Sequence, residues 1–142
     1  MATTRTASAA WKGALIGGEG LVTLESSSVG AHPVSWPARA EEANGVTSPE
    51  ELIAAAHASC YCMALSHGLT EAGTPPQSLD ARAEVTFQPG TGITGIILAV
   101  EGDVPNLSAE AFAAAAEDAK RNCPVSQALA GVPITLAASL LR

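Results

Sequence analysis

An α+β fold follows from three features of this sequence. Apolar and polar residues alternate in short segments, as in Leu21-Val22-Thr23-Leu24-Glu25 and from Leu79 to Phe87, which is the two-residue period of half-buried strands. Two longer segments open on capping serines, Ser48 and Ser108, and continue in helix-forming alanine. Strands come in runs rather than alternating singly with helices. The predicted order, βββ-α-ββ-α-β, therefore belongs to an α+β domain and not to a doubly wound one.

The elements follow in order. Ala7 to Ile16 reads as a strand, ended by the Gly17-Gly18 turn, and Gly20 to Ser27 as its half-buried successor. Val29-Gly30-Ala31-His32-Pro33 is expected to be a loop, and Val34 to Arg39, which carries Pro37, an edge strand or irregular. The run Ser48-Pro49-Glu50-Glu51 announces a helix, with Ser48 at the N-cap, Pro49 at the first turn and Glu51 completing a capping box. Its two glutamates suit the positive end of the helix dipole. It should run to about Ala72 and stop at a left-handed Gly73. Ile53, Ala56, Cys60, Met63 and Ala64 share one face, and the other apolar positions leave little for solvent, so a central buried helix is expected.

Gln77 to Gln88 and Ile93 to Val104 form a hairpin across Pro89-Gly90-Thr91-Gly92. Ser108 caps a helix from Ala109 to about Arg121. Pro124 then starts a short helix to Ala130, and Val132 to Leu141 closes the chain as a strand.

Composition bounds the function. The 142 residues suit one domain. Hydrophobic residues make up 47% but aromatics only 4%, so the core is built from small side chains and a partner chain is expected to supply buried area. A net charge of −7, with Lys120-Arg121 the only adjacent basic pair, argues against nucleic acid. No apolar run is read as approaching the roughly 18 residues of a membrane span, and the first residues lack the apolar core of a secretion signal, so no membrane and a cytoplasmic location are expected. There thiols stay reduced, and three cysteines make no disulfide framework.

Two of those cysteines carry the chemistry. Cys60 lies deep in the apolar helix, where burial disfavours its thiolate and the helix dipole is too far to help. It needs a cation, and the candidates near in sequence are Arg39 and His57. An arginine in an apolar site in turn needs a carboxylate, for which Glu50 is well placed. Cys123, before Pro124, sits at the cap of the short helix, where backbone N–H groups favour an anion. Cys62 faces away from Cys60 and reads as a small core residue. These residues permit three readings: a redox pair Cys60/Cys123, a metal site of His57, Cys60 and Cys123, or a catalytically silent structural dimer.

The run Thr47-Ser48-Pro49-Glu50-Glu51-Leu52-Ile53-Ala54-Ala55-Ala56-His57-Ala58-Ser59-Cys60 resembles the first cysteine helix of the OsmC/Ohr family of osmotically inducible and organic hydroperoxide resistance proteins. Asn122-Cys123-Pro124-Val125-Ser126-Gln127-Ala128-Leu129 resembles its second cysteine motif. The likeness covers nearly the whole chain, and the position of Arg39 is similar to the OsmC branch. It implies a single OsmC-like peroxidase domain over residues 1–142, with antiparallel sheets wrapped around two central helices in an intertwined homodimer. It implies that Cys60 attacks an organic hydroperoxide and becomes a sulfenic acid, that Cys123 resolves it as a disulfide, and that a small or lipoyl-type dithiol restores both. Arg39 would hold the Cys60 thiolate and Glu50 would orient Arg39. No cofactor and no metal are implied. Cys62 is an addition to the usual pattern.

Overall fold

The computed structural model describes residues 1–142. The chain divides into two compact units, Met1–Leu52 and Ile53–Arg142.

The first unit holds a three-stranded antiparallel sheet in the order β1-β2-β3, formed by β1 (Ala7–Lys12), β2 (Glu19–Leu24) and β3 (Gly30–Val34). The segment expected to be a loop is thus the edge strand β3, where Pro33 is tolerated because an edge needs fewer ladder donors. The segment after it is not a strand. Trp36–Ala40 forms α1, because the Ser35 hydroxyl accepts the Ala38 N–H at 3.2 Å and Pro37 falls at a position whose missing N–H costs nothing. Trp11, Leu15, Ile16 and Leu21 are all exposed on this unit.

The long helix α2 is Pro49–Glu71. Ser48 accepts the Glu51 N–H at 3.2 Å as expected, whereas the Glu51 carboxylate takes the Thr47 hydroxyl. Its end is a Schellman motif: Gly73 has φ +85°, Thr74 N–H bonds Leu69 C=O at 2.9 Å and Gly73 N–H bonds Thr70 C=O at 3.0 Å.

The second unit is built on the sheet β4-β5-β6. β4 (Ser78–Gln88) and β5 (Gly92–Asp103) make the expected hairpin, and every second residue of β4, from Leu79 to Phe87, turns inward. α3 (Ala109–Asn122), capped by Ser108, and α4 (Pro124–Ala128) carry the chain across to β6 (Ile134–Leu140), which pairs parallel with β5. Between sheet and helices lies a core of Tyr61, Leu65, Leu69, Leu98, Val100, Phe112 and Ala116, closed at one end by Cys123. Gly102 lets the Phe112 ring lie against the β5 backbone, because a Cβ there would come within 2.6 Å of it.

The buried stripe of α2 is His57, Tyr61, Leu65 and Leu69, spaced by four, and not the expected face of Ile53, Ala56, Cys60, Met63 and Ala64. Cys60 and Ala64 border the core, and Met63 is 72% exposed. A helix apolar all round does not announce its inner face. Tyr61 decides it, because its ring fills the core while its hydroxyl bonds the Ala116 carbonyl at 2.9 Å. An 18-residue stretch of α2 has a mean hydropathy of 1.2, so this 23-residue helix is also long and apolar enough to cross a membrane, contrary to the sequence reading. Core helices meet the same criteria, and the buried His57 and Tyr61 side chains, both hydrogen-bonded inside the fold, are those of a core helix.

Candidate active site

The four residues singled out from sequence fall into two pairs. In the second unit, α2 brings Cys60 and the N-cap of α4 brings Cys123, and their sulfurs lie 3.2 Å apart as free thiols. In the first unit, Arg39 Nε donates to Glu50 Oε1 at 2.9 Å. The Glu50 carboxylate is 6% exposed, and its second oxygen has no protein partner.

The two thiols are inequivalent. Burial raises Cys60 above the ordinary thiol range; the Val125 amide opposes this and the neighbouring Cys123 adds to it. Burial also works to raise the fully buried Cys123, but the Ser126 amide, the Cys60 thiol, the Ser126 hydroxyl and the Val125 amide outweigh it and bring Cys123 below its ordinary value. Cys123 thus stands at a helix start whose backbone amides favour its thiolate, whereas burial disfavours that of Cys60. Cys62 is raised by burial, with Asp80 adding to the rise. It is half-buried on α2, pointing to the Leu79 carbonyl.

His57 is not the cation beside Cys60 that sequence allowed. It is fully buried, burial lowers its pKa, and its Nε2 is 2.7 Å from Ser126 Oγ. Nor do His57, Cys60 and Cys123 converge as a metal-binding group. Phe112 is committed to the core and Met63 to solvent, so neither makes an apolar wall at Cys60. Trp36 instead lines a cleft of about 350 Å³ within the first unit, with Trp11, Leu15, Val34 and Arg39. Ser126 is the residue that sequence reasoning missed. Its signal was its place three residues after Cys123, on the same side of the first turn of α4.

The model of the family described as "OsmC-like protein" matches residues 42–137. The chain belongs to the OsmC family. The OsmC match includes Glu50, Cys60 and Cys123, while Arg39 lies just before it. The chain is 43% identical over 122 residues to Peroxiredoxin OsmC of Escherichia coli (strain K12), covering 84% of this chain and 85% of that protein, and equally to Peroxiredoxin OsmC of Shigella flexneri. Among solved structures, the OsmC-like protein from Mycoplasma pneumoniae superposes with a TM-score of 0.76 at 14% identity, covering 100% of both chains. The organic hydroperoxide resistance protein OhrB of Bacillus subtilis does so at 0.65 and 24% identity, over 95% of this chain and 97% of that one. These structures share the OsmC fold of this chain.

Proposed function

We propose that this chain is a thiol peroxidase that reduces organic hydroperoxides. The observation that carries the reading is the 3.2 Å approach of Cys60 and Cys123, against about 2.05 Å for a formed disulfide. Only a small movement separates two free thiols from a bond, which suits a pair that cycles. The names of the curated relatives, peroxiredoxins, support the same class of activity.

In this reading the Cys60 thiolate attacks the terminal oxygen of the hydroperoxide. The O–O bond breaks, the alkoxide takes a proton to leave as an alcohol, and Cys60 becomes a sulfenic acid. Cys123 then attacks that sulfur, water leaves, and a disulfide forms. An external dithiol, small or lipoyl-type, reduces the disulfide by exchange, so no bound cofactor is needed. Because burial raises Cys60 in the chain by itself, a cation must favour its thiolate. Arg39, aligned by Glu50, is that cation in this mechanism, in the Cys60 site of its own chain or of a second copy. The exposed Trp11, Leu15, Ile16 and Leu21 support a homodimer, which would cover them.

The preference for organic substrates rests on apolar surface beside a charge, as in the cleft of Trp11, Leu15, Trp36 and Arg39. Each buried substrate methylene contributes roughly 0.8 kcal/mol, a gain that hydrogen peroxide cannot make. Thiol counting tests the whole scheme. One equivalent of cumene hydroperoxide should remove two thiols per chain without cross-linking chains. Retention of all three thiols, or a covalent dimer, would overturn it. A kcat/KM for hydrogen peroxide equal to that for cumene hydroperoxide would overturn the substrate class alone.

A further inference from the structure

The mechanism above leaves a buried, hydrogen-bonded histidine without a task. His57 on α2 is 0% exposed, and its Nε2 meets Ser126 Oγ at 2.7 Å, a short contact between two buried groups 69 residues apart in sequence. Ser126 lies three residues beyond Cys123 on the first turn of α4, and its hydroxyl helps to lower the Cys123 thiol. The other ring nitrogen, Nδ1, is buried with no partner. From these contacts we propose that Ser126 and His57 form a proton relay for Cys123, in which the serine hydroxyl passes a proton between the resolving sulfur and the imidazole.

The orphaned Nδ1 is what makes the arrangement reversible. Where the second nitrogen of a histidine is anchored, one tautomer is fixed. Here no protein group anchors it, so the hydrogen bonds between sulfur and ring can run in either direction. In one, Cys123 S–H donates to Ser126 Oγ and the hydroxyl donates to Nε2, with the ring proton on Nδ1. In the other, the sulfur's proton has moved to the ring: Nε2–H donates to Ser126 Oγ and the hydroxyl donates to the Cys123 thiolate, with Nδ1 still protonated. Burial keeps the ring neutral, so the histidine carries a charge only in passing. The other ionisable groups that bear on Cys123 come from α2: Cys60 and the fully buried Tyr61, with Glu117 of α3 acting on Tyr61.

The relay rests on the disulfide mechanism proposed above, and its steps balance. As Cys123 attacks the sulfenic acid, its S–H proton passes to Ser126 Oγ while the serine's own proton passes to Nε2. The S–S bond forms and the S–O bond of Cys60 breaks. The proton then returns through the hydroxyl to the departing hydroxide, giving water and a neutral ring. When a dithiol reduces the disulfide, the same path delivers a proton to Cys123 as it leaves. Ser126 stands beside the reacting sulfur, one helical turn from it, whereas His57 acts through Ser126 and is a positioning residue.

Two measurements separate the relay from the disulfide scheme. In a Cys60→Ser, Cys62→Ala background, the pH profile of Cys123 alkylation by iodoacetamide reads the thiol without any peroxide. Ser126→Ala should move its midpoint upward, and Ser126→Thr, which keeps the hydroxyl, should restore it. An unmoved midpoint overturns the relay. In the otherwise unaltered chain, one equivalent of cumene hydroperoxide with dimedone trapping reads the lifetime of the sulfenic acid. Ser126→Ala and His57→Gln should lengthen it roughly a hundredfold, the low end for a positioned proton-transfer group, with the rate of first thiol loss unchanged. Glutamine can hydrogen-bond Ser126 but cannot carry the proton, so a wild-type lifetime in His57→Gln overturns the histidine's part. Should that variant not fold, Ser126→Ala and Ser126→Thr still decide. If the wild type itself loses no thiols, the disulfide scheme fails, and the alkylation profile alone then supports or overturns the hydroxyl's contact with Cys123.

Discussion

Removing Arg39 should cost more stability than removing Glu50, although the two share one ion pair. The Glu50 carboxylate is 6% exposed and one of its oxygens has no protein partner, so Arg39 is its hydrogen-bonded counter-charge. The Arg39 side chain is 33% exposed and can be hydrated when the carboxylate is gone. Breaking a fully buried pair from one side costs roughly 3–5 kcal/mol, because a charge is left uncompensated. The partial exposure of Arg39 reduces that figure, so Arg39→Met should cost about 2 kcal/mol. Glu50→Gln still offers an oxygen to Arg39 Nε and should cost about 1 kcal/mol, the loss of charge assistance in one hydrogen bond. The double variant should cost less than the two together, since the second change removes the stranded charge. Both tryptophans, Trp11 and Trp36, lie in the unit that holds the pair. Urea unfolding followed by tryptophan fluorescence therefore reads that unit directly. Equal costs, a larger cost for Glu50→Gln, or strict additivity in the double variant would show that Glu50 does not depend on Arg39 as the burial argues.

Further expectations concern the thiols, pH and packing. Cys60→Ser should abolish peroxidase activity, Cys123→Ser should permit one oxidation but poor dithiol turnover, and Cys62→Ser should leave activity intact, all read by hydroperoxide consumption. In a Cys123→Ser background, Arg39→Met should lower the alkylation rate of Cys60 at pH 7, since burial raises that thiol and the arginine is proposed to oppose it; an unchanged rate would remove Arg39 from the mechanism. His57 has its pKa lowered by burial, so below the unfolded value of about 6.5 the unfolded state binds a proton that the folded state refuses. Stability should therefore be lost as pH falls from 6.5 to 5, and denaturation of His57→Gln over that range should show a shallower loss. Gly102→Ala should destabilise by about 1–3 kcal/mol, because its methyl would meet the Phe112 ring in a core that cannot yield; a thermal midpoint unchanged from wild type would contradict the packing.

Much of this protein was legible in its residue order, for local reasons. Ser48 and Ser108 cap helices, Gly73 takes a left-handed φ, and the alternation from Leu79 to Phe87 makes a strand, because each depends on neighbours a few residues away. The proposed site residues were named for another reason. A thiol buried in an apolar helix is chemically incomplete, and that shortage pointed to Arg39 or His57 and to Glu50, while Cys123 was marked by its place before Pro124. Local rules misjudged Trp36–Ala40, where the Ser35 cap outweighed the strand reading of a proline-bearing segment.

What the residue order could not choose was the inner face of α2. A helix apolar on all sides offers several equivalent stripes, and packing against β5 and α3 selected His57, Tyr61, Leu65 and Leu69. That choice turned His57 away from the role of cation at Cys60 and onto Ser126. It also set the two sulfurs 3.2 Å apart across 63 residues of chain, a distance that no spacing in the sequence encodes. Sequence by itself determined which groups the proposed chemistry would require, because charge and thiol reactivity belong to residue types. Only tertiary structure decided which of them meet, because burial and contact belong to packing.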